Sequence, residues 1–243
     1  MKERYYKIIN NNNNCYLNSI LQIFLNNRET INYVKKYIIF YNSQGSSPLG
    51  EQIINPKNFL NLIKSKSFDV TRQNDAHEAL LRLVDKIPEI DKKITGELST
   101  TFECLQCFKT RKIIENFNTI NLYSDNIEDS VKYLFRIESH ILECERCRMS
   151  TNTVKKSSIN KIGDIIIFHN ILKLRLDKGK IKENIIYDNK KYYLSGIIKH
   201  YGNTSRGHYN YIDFVNKILI DDDNFTRIEE VPFNNIYLLI YNK

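Results

Sequence analysis

Apolar residues fall at Leu17, Ile20, Leu21, Phe24 and Leu25, the spacing of one face of a helix, and predict an amphipathic helix from Tyr16 onward. Cys15 stands at its start and Asn14 is placed to cap it. A second stripe, Ala76, Leu80, Leu83, Val84 and Ile87, begins after Asp75 and is stopped by Pro88. Residues 56–64 predict a short helix and residues 43–50 (SQGSSPLG) a loop. To about residue 95 the chain therefore reads as mainly helical.

After residue 96 the pattern changes. β-Branched and aromatic segments predict strands at Lys112–Leu122, Asp164–Leu174, Tyr192–His200, His208–Val215, Lys217–Ile220 and Ile236–Tyr241. A helix is expected over 127–136. The fold class expected is α+β, a helical subdomain over 1–95 followed by a largely antiparallel β subdomain over 96–243, within one domain.

With 243 residues, 42% of them hydrophobic, the chain is long enough for a substantial core. No apolar run approaches the roughly 18 residues of a membrane span, so no membrane association is expected. Residues 1–14 are polar and Asn-rich, without the apolar stretch of a signal peptide. Cytosol or nucleus, both reducing, is the expected location. The net charge of +8 raises a nucleic-acid reading, but the basic residues are scattered in short pairs such as Lys35-Lys36, Lys155-Lys156 and Lys190-Lys191. Asn, Ile, Lys and Tyr, all abundant here, are encoded by AT-rich codons, which accounts for much of the charge. No nucleic-acid partner is expected, although a zinc-dependent nucleic-acid binder stays as a rival reading.

The five cysteines divide cleanly. Cys104-Leu-Gln-Cys107 and Cys144-Glu-Arg-Cys147 are paired knuckles on either side of the predicted helix, and Cys15 stands alone. In a reducing compartment two such knuckles point to one structural zinc ion held by four thiolates, stapling two long hairpins. His140 lies close by, but the four cysteines complete the site without it. A lone cysteine at a helix N-terminus feels the positive end of the helix dipole, which favours the reactive thiolate, and backbone N–H groups there can stabilise an oxyanion.

The string Asn14-Cys15-Tyr-Leu-Asn-Ser-Ile-Leu-Gln22 resembles the cysteine box of the ubiquitin-specific proteases, C-Y-x-N-S-x-L-Q. The turn before it departs from the family: Asn12 stands where the family has Gly and Asn14 where it has Thr. Asn tolerates positive φ better than other non-Gly residues, which lets such a turn form. Gln73-Asn-Asp75-Ala-His77-Glu78-Ala-Leu80 resembles the family's Q-Q-D-A-H-E-F-L box, and Asp75-x-x-Glu78 is also a capping box. Gly207-His208-Tyr209 with Tyr211 resembles its histidine box, and Leu219-Ile-Asp221-Asp222-Asp223 its F-[DN]-D segment. The ending Ile236-Tyr-Leu-Leu-Ile-Tyr241 resembles its closing strand, so the likeness runs from Asn10 to Tyr241.

That resemblance implies a papain-like cysteine protease fold with helical thumb, antiparallel β palm and zinc-bound β fingers. It implies Cys15 as nucleophile, His208 as base and Asp221 as the carboxylate that orients it, with Asp222 next in line. Asn10 falls where the family carries an oxyanion-hole Asn. Asp75 would bind the substrate tail, and Gly207 and Tyr209 would wall its channel. His77, His169 and His200 read as structural. The implied reaction is hydrolysis of the (iso)peptide bond at the C-terminal glycine of ubiquitin, with ubiquitin and ubiquitinated proteins as partners and a monomer as the working form. Two alternatives stay open: a catalytically weak ubiquitin-binding pseudoenzyme, fed by the altered turn before Cys15, and a protease for another ubiquitin-like modifier.

Overall fold

A computed structural model describes residues 5–11, 13–40, 53–176, 178–203 and 206–243. The loop expected at 43–50 lies outside the described residues. A short strand, β1 (Lys7–Ile8), leads to helix α1 (Cys15–Leu25). Helix α2 (Ile31–Lys35), strands β2 (Ile39–Phe40) and β3 (Ile53–Asn55), and helices α3 (Lys57–Ile63), α4 (Ala76–Lys86) and α5 (Pro88–Ile94) complete the thumb. Pro88 ends α4 as expected, but it also opens α5, because a first-turn proline lacks only an N–H that needs no intrahelical partner. The thumb also holds a small sheet in the order β1-β3-β2, which the helical pattern did not foretell.

All eleven residues of α1 are buried, the polar ones included, so the helix is not amphipathic in its setting. The polar residues are satisfied internally: Ser19 Oγ donates to the Tyr16 carbonyl, and Gln22 Nε2 donates to the Tyr6 carbonyl at 2.8 Å. Polar groups on one face of α1 thus tie down the segment that precedes it.

Strands β4 (Gly96–Cys104) and β5 (Thr110–Phe117) form the first finger hairpin. The chain then changes sheets. The expected single strand over Lys112–Leu122 is split, and β6 (Ile120–Asn121) belongs to the palm. Helix α6 (Ile127–Leu134) is capped by Asn126, whose side chain accepts from Glu128 and Asp129. Strands β7 (Glu138–Cys144) and β8 (Met149–Lys161) form the second hairpin, and the fingers sheet runs β5-β4-β8-β7.

The palm strands are β9 (Ile165–His169), β10 (Asn184–Tyr187), β11 (Lys190–Gly202), β12 (Gly207–Asp213), β13 (Ile218–Asp221), β14 (Asn224–Arg227) and β15 (Ile236–Asn242). They run β14-β13-β12-β11-β15-β9-β6, with β10 against β11. Strand β9 stops at His169, short of Leu174, because Asn170 ends it. The Asn170 side chain accepts from the Leu174 N–H and donates to the carbonyls of Leu174 and Ile236.

One apolar cluster lies between the thumb helices and the palm sheet, joining Leu17, Ile20 and Leu83 to Ile198, Tyr211, Ile220 and Leu238. A second covers the opposite palm face, with Ile127 of α6 against Phe168, Ile197 and Leu239. Tyr211 fits in the first cluster only because Gly196 faces it: a Cβ there would lie 2.4 Å from the Tyr211 hydroxyl oxygen. This thumb, palm and fingers arrangement is the α+β papain-like architecture. Among the described residues no helix is long and apolar enough to cross a membrane.

Candidate active site

Cys15 opens α1 from the thumb side and is buried. As the first helical residue it has an N–H with no carbonyl of its own helix to bond. Asn14 does stand at the cap position, but its side chain does not cap. The Asn14 carbonyl accepts from Leu17 and Asn18, while its side-chain amide turns back to the Ile9 carbonyl at 3.0 Å. The left-handed turn that an Asn tract permits is found at Asn13, with φ of 58°; Asn12 lies outside the described residues.

His208 enters from β12 and Asp221 from the end of β13. His208 Nε2 lies 2.5 Å from Asp221 Oδ1, and the Cys15 thiol stands near enough to the same ring to act on its protonation. These two partners, Asp221 first, push the His208 pKa up to about 10. The imidazole is therefore built to hold a proton beside sulfur. Cys15, His208 and Asp221, read from three separate motifs, meet in one row.

Asp222, whose carboxylate also lies within 4.8 Å of the His208 ring nitrogen, bonds other partners than Asp221 does. It sits at a φ of 55°, and its carboxylate accepts from Asn10 Nδ2 and from Asn18 Nδ2, each at 2.7 Å. Burial pushes its carboxyl up, against those two amide donors, which favour the anion. Asn10 is held at both ends: its Oδ1 accepts from the Asn14 N–H at 3.0 Å. One Nδ2 hydrogen remains beyond the one given to Asp222.

An open cleft beside His208 is lined by Asn13, Gln73, Tyr201 and Gly207, with Arg72 and Arg206 also on its walls. Gln73 bridges thumb to palm by bonding both backbone groups of Gly207, accepting from its N–H at 3.0 Å and donating to its carbonyl. This bridging role of Gln73 is not legible in its sequence motif, where nothing marks it apart from its neighbours. Gly207 is required there, since a Cβ would meet His200 Nε2 at 2.2 Å and the Asn203 carbonyl at 2.8 Å. Tyr209 lies beneath this rim, buried, stacked on His200 at 4.3 Å and packed edge-on to Tyr237.

Asp75 caps α4 through Oδ1, which accepts from the Glu78 N–H at 2.9 Å, and its Oδ2 accepts from the Tyr237 hydroxyl at 2.5 Å. The residue stays exposed. His77 stacks on His169 at 4.0 Å and bonds Thr119. Burial lowers the pKa of both, His169 to about 4, and also lowers that of His200. The three are neutral packing groups, as expected from the sequence.

At the far end of the fingers, Cys104, Cys107, Cys144 and Cys147 bring their sulfurs within 4.8 Å of one another. Each knuckle closes alike: Phe108 N–H bonds the Cys104 carbonyl, Arg148 N–H bonds the Cys144 carbonyl, and Phe108 and Arg148 have φ of 58° and 54°. The cross-knuckle separations are 4.0 Å for Cys104–Cys147 and 3.6 Å for Cys107–Cys144. A tetrahedral zinc site with Zn–S bonds of about 2.3 Å sets its sulfurs about 3.8 Å apart, so the four residues fit that ion. The Thr151 hydroxyl, 3.2 Å from Cys104, leads the causes that hold that thiol down to about 6.

The family description "Ubiquitin carboxyl-terminal hydrolase" matches residues 6–241. Ubiquitin carboxyl-terminal hydrolase 23 of Arabidopsis thaliana is 22% identical over 241 residues, covering 78% of this chain and 28% of the relative. Ubiquitin carboxyl-terminal hydrolase 24 of Mus musculus is 28% identical over 133 residues, covering 47% of this chain and 5% of the relative. The chain thus spans under a third of either relative. Among solved structures, a SAGA DUB module of Ubp8, Sgf11, Sus1 and Sgf73 bound to monoubiquitin aligns with a TM-score of 0.75 at 16% identity, over 97% of this chain and 68% of that one. The Ubp8/Sgf11/Sus1/Sgf73 module bound to ubiquitin aldehyde aligns at 0.70 and 17%, over 100% and 70%.

Proposed function

Because the chain belongs to the ubiquitin carboxyl-terminal hydrolase family, we propose that it is a thiol hydrolase that cuts the (iso)peptide bond after the C-terminal glycine of ubiquitin. The observation that carries this reading is the meeting of Cys15 with the hydrogen-bonded pair His208–Asp221. His208 takes the thiol proton as Cys15 sulfur adds to the glycine carbonyl carbon. The carbonyl electron pair moves onto oxygen, where the Cys15 N–H and Asn10 Nδ2 receive it. Collapse expels the amine, protonated by His208, and leaves a thioester. Water, deprotonated by His208, then releases the carboxylate and restores the thiol. Asp221 orients the ring and stabilises its cation.

In this reading the cleft beside Gly207 takes the extended tail of the substrate, with Tyr209 supporting the wall from beneath and Asp75 bonding the tail further out. Zinc on the four finger cysteines serves structure and takes no step in the reaction.

The test is ubiquitin carrying a C-terminal electrophile. Wild-type protein should form a covalent adduct mapped by mass spectrometry to Cys15, and Cys15→Ala should lose the adduct yet keep ubiquitin binding. His208→Ala should slow the reaction by roughly two to four orders of magnitude, the scale of lost general acid–base help. Binding without an adduct in folded wild-type protein supports a ubiquitin-binding pseudoenzyme instead. An adduct only with a probe built on another modifier reassigns the substrate.

A further inference from the structure

Asn14 and Asn18 take no part in the steps above, yet each is 1% exposed and lies directly behind the nucleophile. Buried amides are costly unless their donors and acceptors are met. Here they are met in a closed ring of four hydrogen bonds. Asn10 Nδ2 donates to Asp222 Oδ2 at 2.7 Å, and Asn18 Nδ2 donates to Asp222 Oδ1 at 2.7 Å. Asn14 Nδ2 donates to Asn18 Oδ1 at 2.9 Å, and the Asn14 main-chain N–H donates to Asn10 Oδ1 at 3.0 Å.

Asp222 and the Asn14 main-chain N–H decide which way the Asn10 amide faces, and the Asn14 side chain holds the Asn18 amide that shares Asp222. Turned over, the Asn10 amide would set its oxygen against the Asp222 carboxylate and its NH₂ against the Asn14 N–H, two repulsive contacts in place of two bonds. Asn14 also fixes the backbone that carries Asn10, because its Nδ2 donates to the Ile9 carbonyl at 3.0 Å. Both amide hydrogens of Asn14 are therefore engaged. The Thr that the related cysteine box carries here has one O–H donor and could make only one of these two bonds.

We propose that Asn14 is a positioning residue for the oxyanion: by tying the Ile9 carbonyl and the Asn18 amide with its side chain, it holds in place the backbone and the Asp222 carboxylate that aim the remaining Nδ2 hydrogen of Asn10 at the carbonyl oxygen of the bond that Cys15 attacks. The inference rests on the proposed function and says how this chain builds an oxyanion site from an asparagine tract. A donor helps only if it stands ready where charge develops.

Two reactions of one protein separate this role from a general defect. Hydrolysis of ubiquitin with a fluorogenic C-terminal amide forms an oxyanion. Alkylation by ubiquitin ending in a haloalkyl group does not, since sulfur displaces halide at a saturated carbon. Asn14→Ala should lower kcat for hydrolysis about 10- to 100-fold, below the ~10²–10³ for losing a donor outright, with KM and alkylation rate within about twofold of wild type. In an Asn10→Ala background the same change should cost nothing more, as expected of residues acting through one group. Alkylation falling in step with hydrolysis, or additive losses in the double variant, would overturn the role. If Asn14→Ala does not fold, Asn14→Thr, which keeps one donor, is read by the same pair of rates. Wild-type protein that undergoes neither reaction sinks the proposed function and this inference with it.

Discussion

At the scale of single residues, the site turns on which carboxylate faces which partner. Neighbours in sequence and both close to the His208 ring, Asp221 and Asp222 take different hydrogen-bond partners: one bonds His208, the other Asn10 and Asn18. The left-handed backbone at Asp222 separates them. Asp221 is the first cause of the raised His208 pKa, so Asp221→Ala should lower it. The alkaline limb of kcat/KM should then fall at lower pH than in wild type, as the leaving-group acid loses its proton earlier. Stability should follow the same sign. A histidine whose folded pKa is raised contributes stability fully below its unfolded value near 6.5, and that contribution is lost as pH rises toward 10. The Tm difference between wild type and Asp221→Ala should therefore be largest at pH 6 and shrink toward pH 10; a difference that grows with pH would contradict this. At the cleft rim, Gly207→Ala places a methyl group where His200 and two carbonyls already stand. Overpacking of this kind costs about 1–3 kcal/mol. Relief by moving the rim breaks the Gln73 bridge, so KM for ubiquitin substrates should rise more than kcat falls.

At the scale of elements, the fingers differ from everything else in the molecule. Neither apolar cluster includes a fully buried residue of β4, β5, β7 or β8. The buried side chains of this sheet are Ser99, Thr100, Thr151, Thr153, Cys104 and Cys144. A sheet so short of apolar contacts depends on cross-links at its tip. Removing zinc by a chelator, or Cys104→Ser, should speed amide hydrogen exchange in β4, β5, β7 and β8 while β11 and β12 stay protected. Unchanged exchange in the fingers would remove the ion from the account of their stability. This composition also explains what the sequence left unread. Strands β9, β11, β12 and β15 are rich in Ile, Leu, Tyr and Phe and were legible as strands. Strands β7 and β8 carry Ser, Thr, Lys and Glu on a largely solvated sheet and gave no such signal, although the cysteine knuckles at their ends implied the hairpins. In the site, Cys15, His208, Asp221 and the four finger cysteines were legible because chemistry restricts them to few residue types. The amide ring was not. Its members look like an asparagine tract and a helix-face Asn until the fold brings Asp222 among them.

At the scale of the whole molecule, Cys15 and His208 belong to opposite sides of one shared core. Leu17 and Ile20 of α1 pack with Ile198, Tyr211 and Ile220 of the palm. The thumb–palm seam is thus not a hinge between independent bodies. Register at that seam sets the Cys15–His208 contact. The bond from Asn10 to Asp222 spans 212 positions of sequence, and that from Asn18 to Asp222 spans 204. Contacts this remote in sequence close long loops, whose entropic cost must be overcome before they contribute. Synthesis proceeds from the N-terminus, so Cys15 leaves the ribosome long before β12 and β13 exist. A growing chain therefore carries Cys15 and Asn10 before His208, Asp221 and Asp222 exist to hold them in place. The Cys15–His208–Asp221 row is complete only once β12 and β13 pack against α1.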